Sequence, residues 1–192
     1  LSLVGSEMCI RDRNTGVDSK GLIPQNIPLF LEPDSLIDFD LDAARRYLER
    51  SGLEPNSVNL DLAYVSTYEA YRLTAFMLLD NLKKIGVRLD LKPGLWSTNW
   101  DKAKSLDTAP NIISMAWWPT ISSPSDWFLS LYGTQEPPLF NLSYYSNSVL
   151  DSLIKKAWEF ETVDGVVAKE IYKKVQDILI NDCVVIPAVD VK

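Results

Sequence analysis

Between Val58 and Leu91 the hydrophobic pattern changes period twice, and this restricts the folds open to the chain. Val58, Leu60, Leu62 and Tyr64 alternate with polar neighbours, the period-two signature of a strand. Leu73, Phe76, Met77 and Leu82 then recur at helical spacing. Ser66 and Glu69 have the spacing of a capping box, which predicts a helix start near Thr67. Lys83, Lys84 and Gly86 supply the basic last turn and the glycine that end such a helix. Val87–Leu91 alternates once more and reads as a second strand.

The same succession extends in both directions. Asp40 caps a predicted helix over Leu41–Arg50, and Gly52 stops it. A short helix is expected after Ser97 or Thr98, through Ala103, and Asn111–Trp118 reads as a buried strand. Pro124 suits the first turn of a helix running through Trp127 to Leu131. Gly133–Ser143 is a loop, followed by a helix over Ser146–Phe160 with Val149, Leu150, Leu153, Ile154 and Ala157 on its apolar side. Asp164-Gly165 turns the chain into a helix over Val166–Ile180, with Ile171, Val175, Ile178 and Leu179 inward. Val184–Ile186 is expected as a final strand ended by Pro187. This order argues for an α/β layer structure, a central sheet flanked by helices.

Composition narrows the chemistry. The chain has 192 residues and no histidine, which removes the usual general base and the commonest transition-metal ligand. The net charge of -7 argues against nucleic acid, whose phosphates are bound mainly by Lys and Arg. No stretch approaches the roughly 20 apolar residues that span a bilayer. Neither a zinc set, a calcium loop nor a phosphate-binding glycine loop is visible, so no metal or cofactor is implied.

Residues 1–13 fit nothing downstream; Leu3–Arg13 back-translates in frame to a transposase-type sequencing adapter and is set aside from fold reasoning. Cys9 is then not native, and Cys183 alone says nothing about redox compartment. On this reading the frame begins inside a gene. Residues 14–40 form an extended Pro-rich connection whose Leu22, Ile23, Ile27, Leu29 and Phe30 suggest that it lies on a surface. Residues 41–180 are expected to be one α/β ligand-binding lobe, and residues 181–192 the start of a return towards a missing first lobe.

Four stretches in order resemble the bacterial family 5 solute-binding proteins of the oligopeptide, dipeptide and nickel type. They are Asp42–Gly52, Leu78–Leu91, Met115–Phe128, and Tyr145–Ile154 with Tyr172–Leu179 and Val185–Pro187. The resemblance implies the C-terminal lobe of a two-lobed, periplasmic-binding-protein-like (type II) fold. It further implies a substrate-binding component of an ABC importer, periplasmic or extracellular, with or without a lipid anchor. Such a protein is monomeric at full length, captures a peptide or oligosaccharide in an interlobe cleft, and delivers it to permease subunits.

The resemblance also nominates site residues. Aligning Trp117 and Pro124 with the family motif puts Trp117 in a side-chain pocket, Trp118 at a backbone-bonding position, and Thr120 where the family has an acid. A neutral Thr120 forgoes a charge-assisted bond to a ligand ammonium, worth roughly 1.5–3 kcal/mol. Paired tryptophans beside Thr120 and Ser122 would suit a sugar; Asp126 could instead restore the lost carboxylate and with it a peptide. Both tryptophans could equally be core residues. Tyr145, with Tyr144, could border the ligand or anchor the following helix. Trp96, Trp100, Trp127 and Trp158 are expected in packing roles, and Asp182 as a solvated helix end. Two other functions stay open: the sensing domain of a transcriptional regulator, and a hydrolase built on two carboxylates, for which no suitable pair is evident.

Overall fold

The computed structural model describes residues 16–36, 38–54 and 56–191, the last of these by its backbone. Residues 1–13, with Cys9, lie outside the described residues. The described chain is mixed α/β and forms two compact units, the described residues of 38–116 and residues 16–36 with 117–191.

The first unit is built on β2 (Asn59–Val65), β3 (Arg88–Gly94) and β4 (Ile112–Ile113), all parallel, in the order β3-β2-β4. Parallel neighbours need a crossover; α2 (Glu69–Lys84) provides it between β2 and β3 and packs on both. Central β2 is buried throughout Leu62–Val65, so its alternation fades where both faces are covered. Pro93 is tolerated because β3 is an edge strand with an unpaired side. Asn99, on α3 (Trp96–Ala103), donates from Nδ2 to the Tyr64 carbonyl at 3.1 Å. A side chain at Gly94 would collide with Asn99, since a Cβ there would stand 2.6 Å from its Oδ1.

Helix α1 (Leu41–Arg50) starts at Asp40, whose carboxylate accepts from the Asp42 and Ala43 amides at 2.8 and 2.9 Å. Gly52 and Gly86 follow α1 and α2 at φ +72° and +78°, the left-handed turn that ends a helix at little steric cost to glycine.

The second unit is mainly helical. Its core is α5 (Ser148–Phe160) against α6 (Gly165–Asn181), with α4 (Pro124–Leu131) on α5. Leu150, Ile154, Ala157, Ala168, Val175 and Leu179 are wholly inaccessible. Phe128 of α4 stacks on Tyr172 of α6 at 5.4 Å between centroids. The Pro-rich segment is bonded to α6: Gln176 accepts the Leu22 amide on Oε1 at 2.8 Å and donates from Nε2 to the Leu31 carbonyl at 2.9 Å. Strand β1 (Gly16–Asp18) pairs antiparallel with β5 (Val189–Val191).

Several expectations need correction. The capping box does not form: Ser66 donates its amide and hydroxyl to the Gly94 carbonyl, and α2 starts at Glu69 without a side-chain cap. Phe76 is 48 % exposed, because α2 turns Ala75, Leu78 and Leu82 inward. Val149 is likewise exposed on α5. Within Asn111–Trp118 only Ile112–Ile113 is strand; the chain leaves its partner after the Ser114 amide binds the Ala63 carbonyl. Among the described residues Val184–Ile186 has no strand partner, and the terminal strand lies at Val189–Val191. Trp127 is buried as expected, whereas Trp158 is 54 % exposed and Trp96 lies partly open, stacked on Trp100.

Candidate functional site

The site belongs to the second unit and begins with a polar turn at the start of α4. Ser123 is the N-cap, accepting from the Ser125 amide at 3.2 Å, and Pro124 opens the helix where its missing N–H costs nothing. Asp126 therefore falls in the first helical turn, where a carboxylate is favoured by the exposed N–H groups. Its side chain turns back over the preceding loop. Oδ2 accepts from Trp117 Nε1 at 3.1 Å and from the Thr120 amide at 3.2 Å.

Trp117 is held on a second side as well. The Phe140 ring meets it edge-on at 5.0 Å between centroids, a favoured aromatic geometry. The loop carrying Phe140 is fixed by two amide side chains. Gln135 Oε1 accepts from the Leu139, Phe140 and Asn141 amides at 2.9, 3.0 and 3.1 Å. Buried Asn141 donates from Nδ2 to the Gly133 and Tyr145 carbonyls, both at 2.9 Å. Neither amide stands out in the sequence, because what each one grips is a loop backbone rather than a periodic neighbour.

The nominated residues thus divide into groups. Trp117, Thr120 and Asp126 meet through one carboxylate. Trp118, 71 % exposed, and Ile121 stand out from the same loop without joining its bonds to Asp126. Ser122 borders a cavity of about 260 Å³ with Pro28, Leu29, Ser123, Glu161 and Thr162. Tyr145 is tied elsewhere: its hydroxyl donates to Asp182 at 2.5 Å and accepts from Asn147 Nδ2 at 2.9 Å. Partial burial, and then the bond to Asp182, push its phenol pKa up. Asp182 is therefore a bonded partner at the end of α6 and not merely a solvated residue.

Chemically, the turn offers a carboxylate whose Oδ2 is occupied by two N–H groups, beside exposed apolar surface. Such a pair of features suits recognition of a small ligand with a positive group and an apolar part. Among the described residues no cluster of His, Cys, Asp and Glu could hold a metal ion. No described helix is long and apolar enough to cross a membrane.

A sequence model of the bacterial extracellular solute-binding proteins, family 5 (middle region), matches residues 12–138, and the chain belongs to this family. Solved structures share its fold. The ABC transporter substrate-binding protein CtaP of Listeria monocytogenes superposes with a TM-score of 0.83 at 24% identity, over 100% of this chain and 38% of its own. The dipeptide-binding protein of Pseudoalteromonas sp. SM9913, in complex with Met-Leu, gives 0.83 at 18% identity, over 98% and 38%. DppA of Helicobacter pylori, in complex with the peptide STSA, gives 0.80 at 19% identity, over 96% and 36%. The chain thus spans little more than a third of these relatives. A sequence search of curated proteins found no match.

Proposed function

We propose that this chain is part of the substrate-binding component of an ABC importer, acting outside the cytoplasm, and that its ligand is a short peptide or similar amine. The observation that carries the reading is the Asp126 carboxylate seated on the Trp117 indole and the Thr120 amide. A carboxylate at that turn supplies the negative charge that Thr120 itself lacks. The two N–H donors fix Oδ2 and keep the group oriented, which lowers the cost of ordering it when a ligand ammonium arrives. Trp118 and Ile121 give an apolar wall for a ligand side chain or backbone.

Family membership and the peptides bound by two structural relatives support the same reading. In this reading the whole protein closes on its ligand, and the permease recognises the closed form. A sugar is less well served, because Trp117 spends its indole N–H on Asp126 and packs its ring against Phe140.

The test is calorimetric titration of the full-length gene product with short peptides and with oligosaccharides. Peptide binding that weakens about tenfold or more in Trp117→Ala is expected, in line with the loss of a packed aromatic contact and its bond to Asp126. Oligosaccharide binding with no response to peptides would refute the peptide reading.

A further inference from the structure

The turn that presents Asp126 is itself held by a residue far along the chain. Glu161 follows α5 directly, as its C-cap residue. Its Oε1 accepts from Ser123 Oγ at 2.6 Å, from the Ser125 amide at 3.2 Å and from the Tyr172 hydroxyl at 2.5 Å. Ser123 is the N-cap of α4, Ser125 lies in its first turn, and Asp126 comes next. One carboxylate oxygen therefore gathers the start of the helix that carries the candidate ligand acceptor. The placement is favourable twice over: the carboxylate accepts from a first-turn amide at the positive end of α4, and its bonds are charge-assisted.

The surroundings make this anchor stiff. Ser125 and Tyr172 are 2% and 1% exposed, and Tyr172 is stacked on Phe128 within the core. Burial, and then the bond to Glu161, push the Tyr172 phenol pKa well up, so it stays a donor at any ordinary pH. Ser123 serves as a relay: it accepts from the Ser125 amide and donates to Glu161. Rotating or unwinding the first turn of α4 would break these bonds together. Because Asp126 is in that turn, the same movement would draw its carboxylate away from Trp117 and Thr120.

We propose that Glu161 is a positioning residue for the ligand turn: through Ser123 and Ser125 it sets where the Asp126 carboxylate and the Trp117 indole stand. The ligand part of this inference rests on the peptide reading above, but the positioning part can be read without any ligand. Trp117 Nε1–H is a reporter, since its hydrogen bond to Asp126 slows exchange with water.

The experiment measures indole exchange at Trp117 by NMR in the full-length protein, with and without Glu161→Ala, and titrates each variant with a short peptide. Loss of the anchor is expected to speed Trp117 exchange and weaken the peptide, each by about tenfold, the scale of one lost hydrogen bond. Glu161→Gln keeps an acceptor oxygen and is expected to restore most of both. Should Glu161→Ala fail to fold, Ser123→Ala removes the relay without leaving a charge unpaired and is expected to give the same change, smaller. Folded variants with unchanged Trp117 exchange would overturn the proposal, and so would weakened peptide binding without faster exchange. Faster exchange with unchanged peptide affinity would uphold the positioning role and refute Asp126 as the ligand acceptor.

Discussion

The two compact units solve the same problem with different materials. In residues 38–116 a parallel sheet pairs its own backbone, and the interior is nearly all aliphatic; Asn99 is the buried polar residue among those described. In the other unit long stretches of irregular chain must be held, and buried Asn141 and Gln176 do it by bonding to backbone, while the hydroxyl of buried Ser125 pairs with that of Ser123. Every buried side-chain nitrogen or oxygen among the described residues has a partner. The candidate site lies in the unit of the second kind. That is physically reasonable, because loops shape ligand sites and need fixing by something other than a ladder of strand bonds.

This contrast predicts that removing the polar anchors hurts the second unit more than the first. Gln176→Ala strands the Leu22 amide and the Leu31 carbonyl, and is expected to cost about 3 kcal/mol, the sum of two unmet backbone groups. Asn99→Ala strands the Tyr64 carbonyl and is expected to cost about 1–2 kcal/mol. Chemical denaturation of the full-length variants checks both, and equal losses would remove the contrast. Gly21→Ala offers a related probe, because its Cβ would stand 2.5 Å from Gln176 Oε1 and push that amide off its partners.

A gentler contrast comes from alkali. Burial raises the phenol pKa of Tyr132, and burial with the Glu161 bond raises that of Tyr172, both in the second unit. In the first unit Tyr71 is pushed up to about 12, by burial first and then by Tyr68. In each case the unfolded chain ionises first, near pH 10, so stability is full below about pH 10 and declines above it. With two strongly raised phenols, the second unit is expected to open first. Hydrogen exchange followed from about pH 9 to 11, corrected for the intrinsic rate, would show amides of α4 and α6 losing protection before those of β2 and β3. The reverse order would contradict the assignment.

The contrast also explains what the sequence disclosed. Helix α1 was legible to the residue, since Asp40 and Gly52 act on their immediate neighbours. Strands β2 and β3 and helix α4 followed from short-range pattern in the same way. Errors arose where a distant partner decided the outcome. Ser66 lost its capping role to the Gly94 carbonyl, and Val184–Ile186 found no strand to pair with while Val189–Val191 found Gly16–Asp18. Within the site, Trp117, Thr120 and Asp126 were nominated from one short motif, and the structure joins them. Gln135, Asn141 and Glu161 were not, because a polar residue on a loop or helix end carries no periodic mark of what it will bind.

In the proposed function, ligand recognition turns on Asp126 as the acceptor for a ligand ammonium. The most direct measurement is calorimetry on the full-length protein with a short peptide and its N-acetylated form, against the original residue and Asp126→Asn. The expected result is tight binding only when both charges are present, with either change alone costing about tenfold or more and the second adding little once the first is made. Affinity that ignores acetylation, or that responds to it equally in Asp126→Asn, would contradict the central claim.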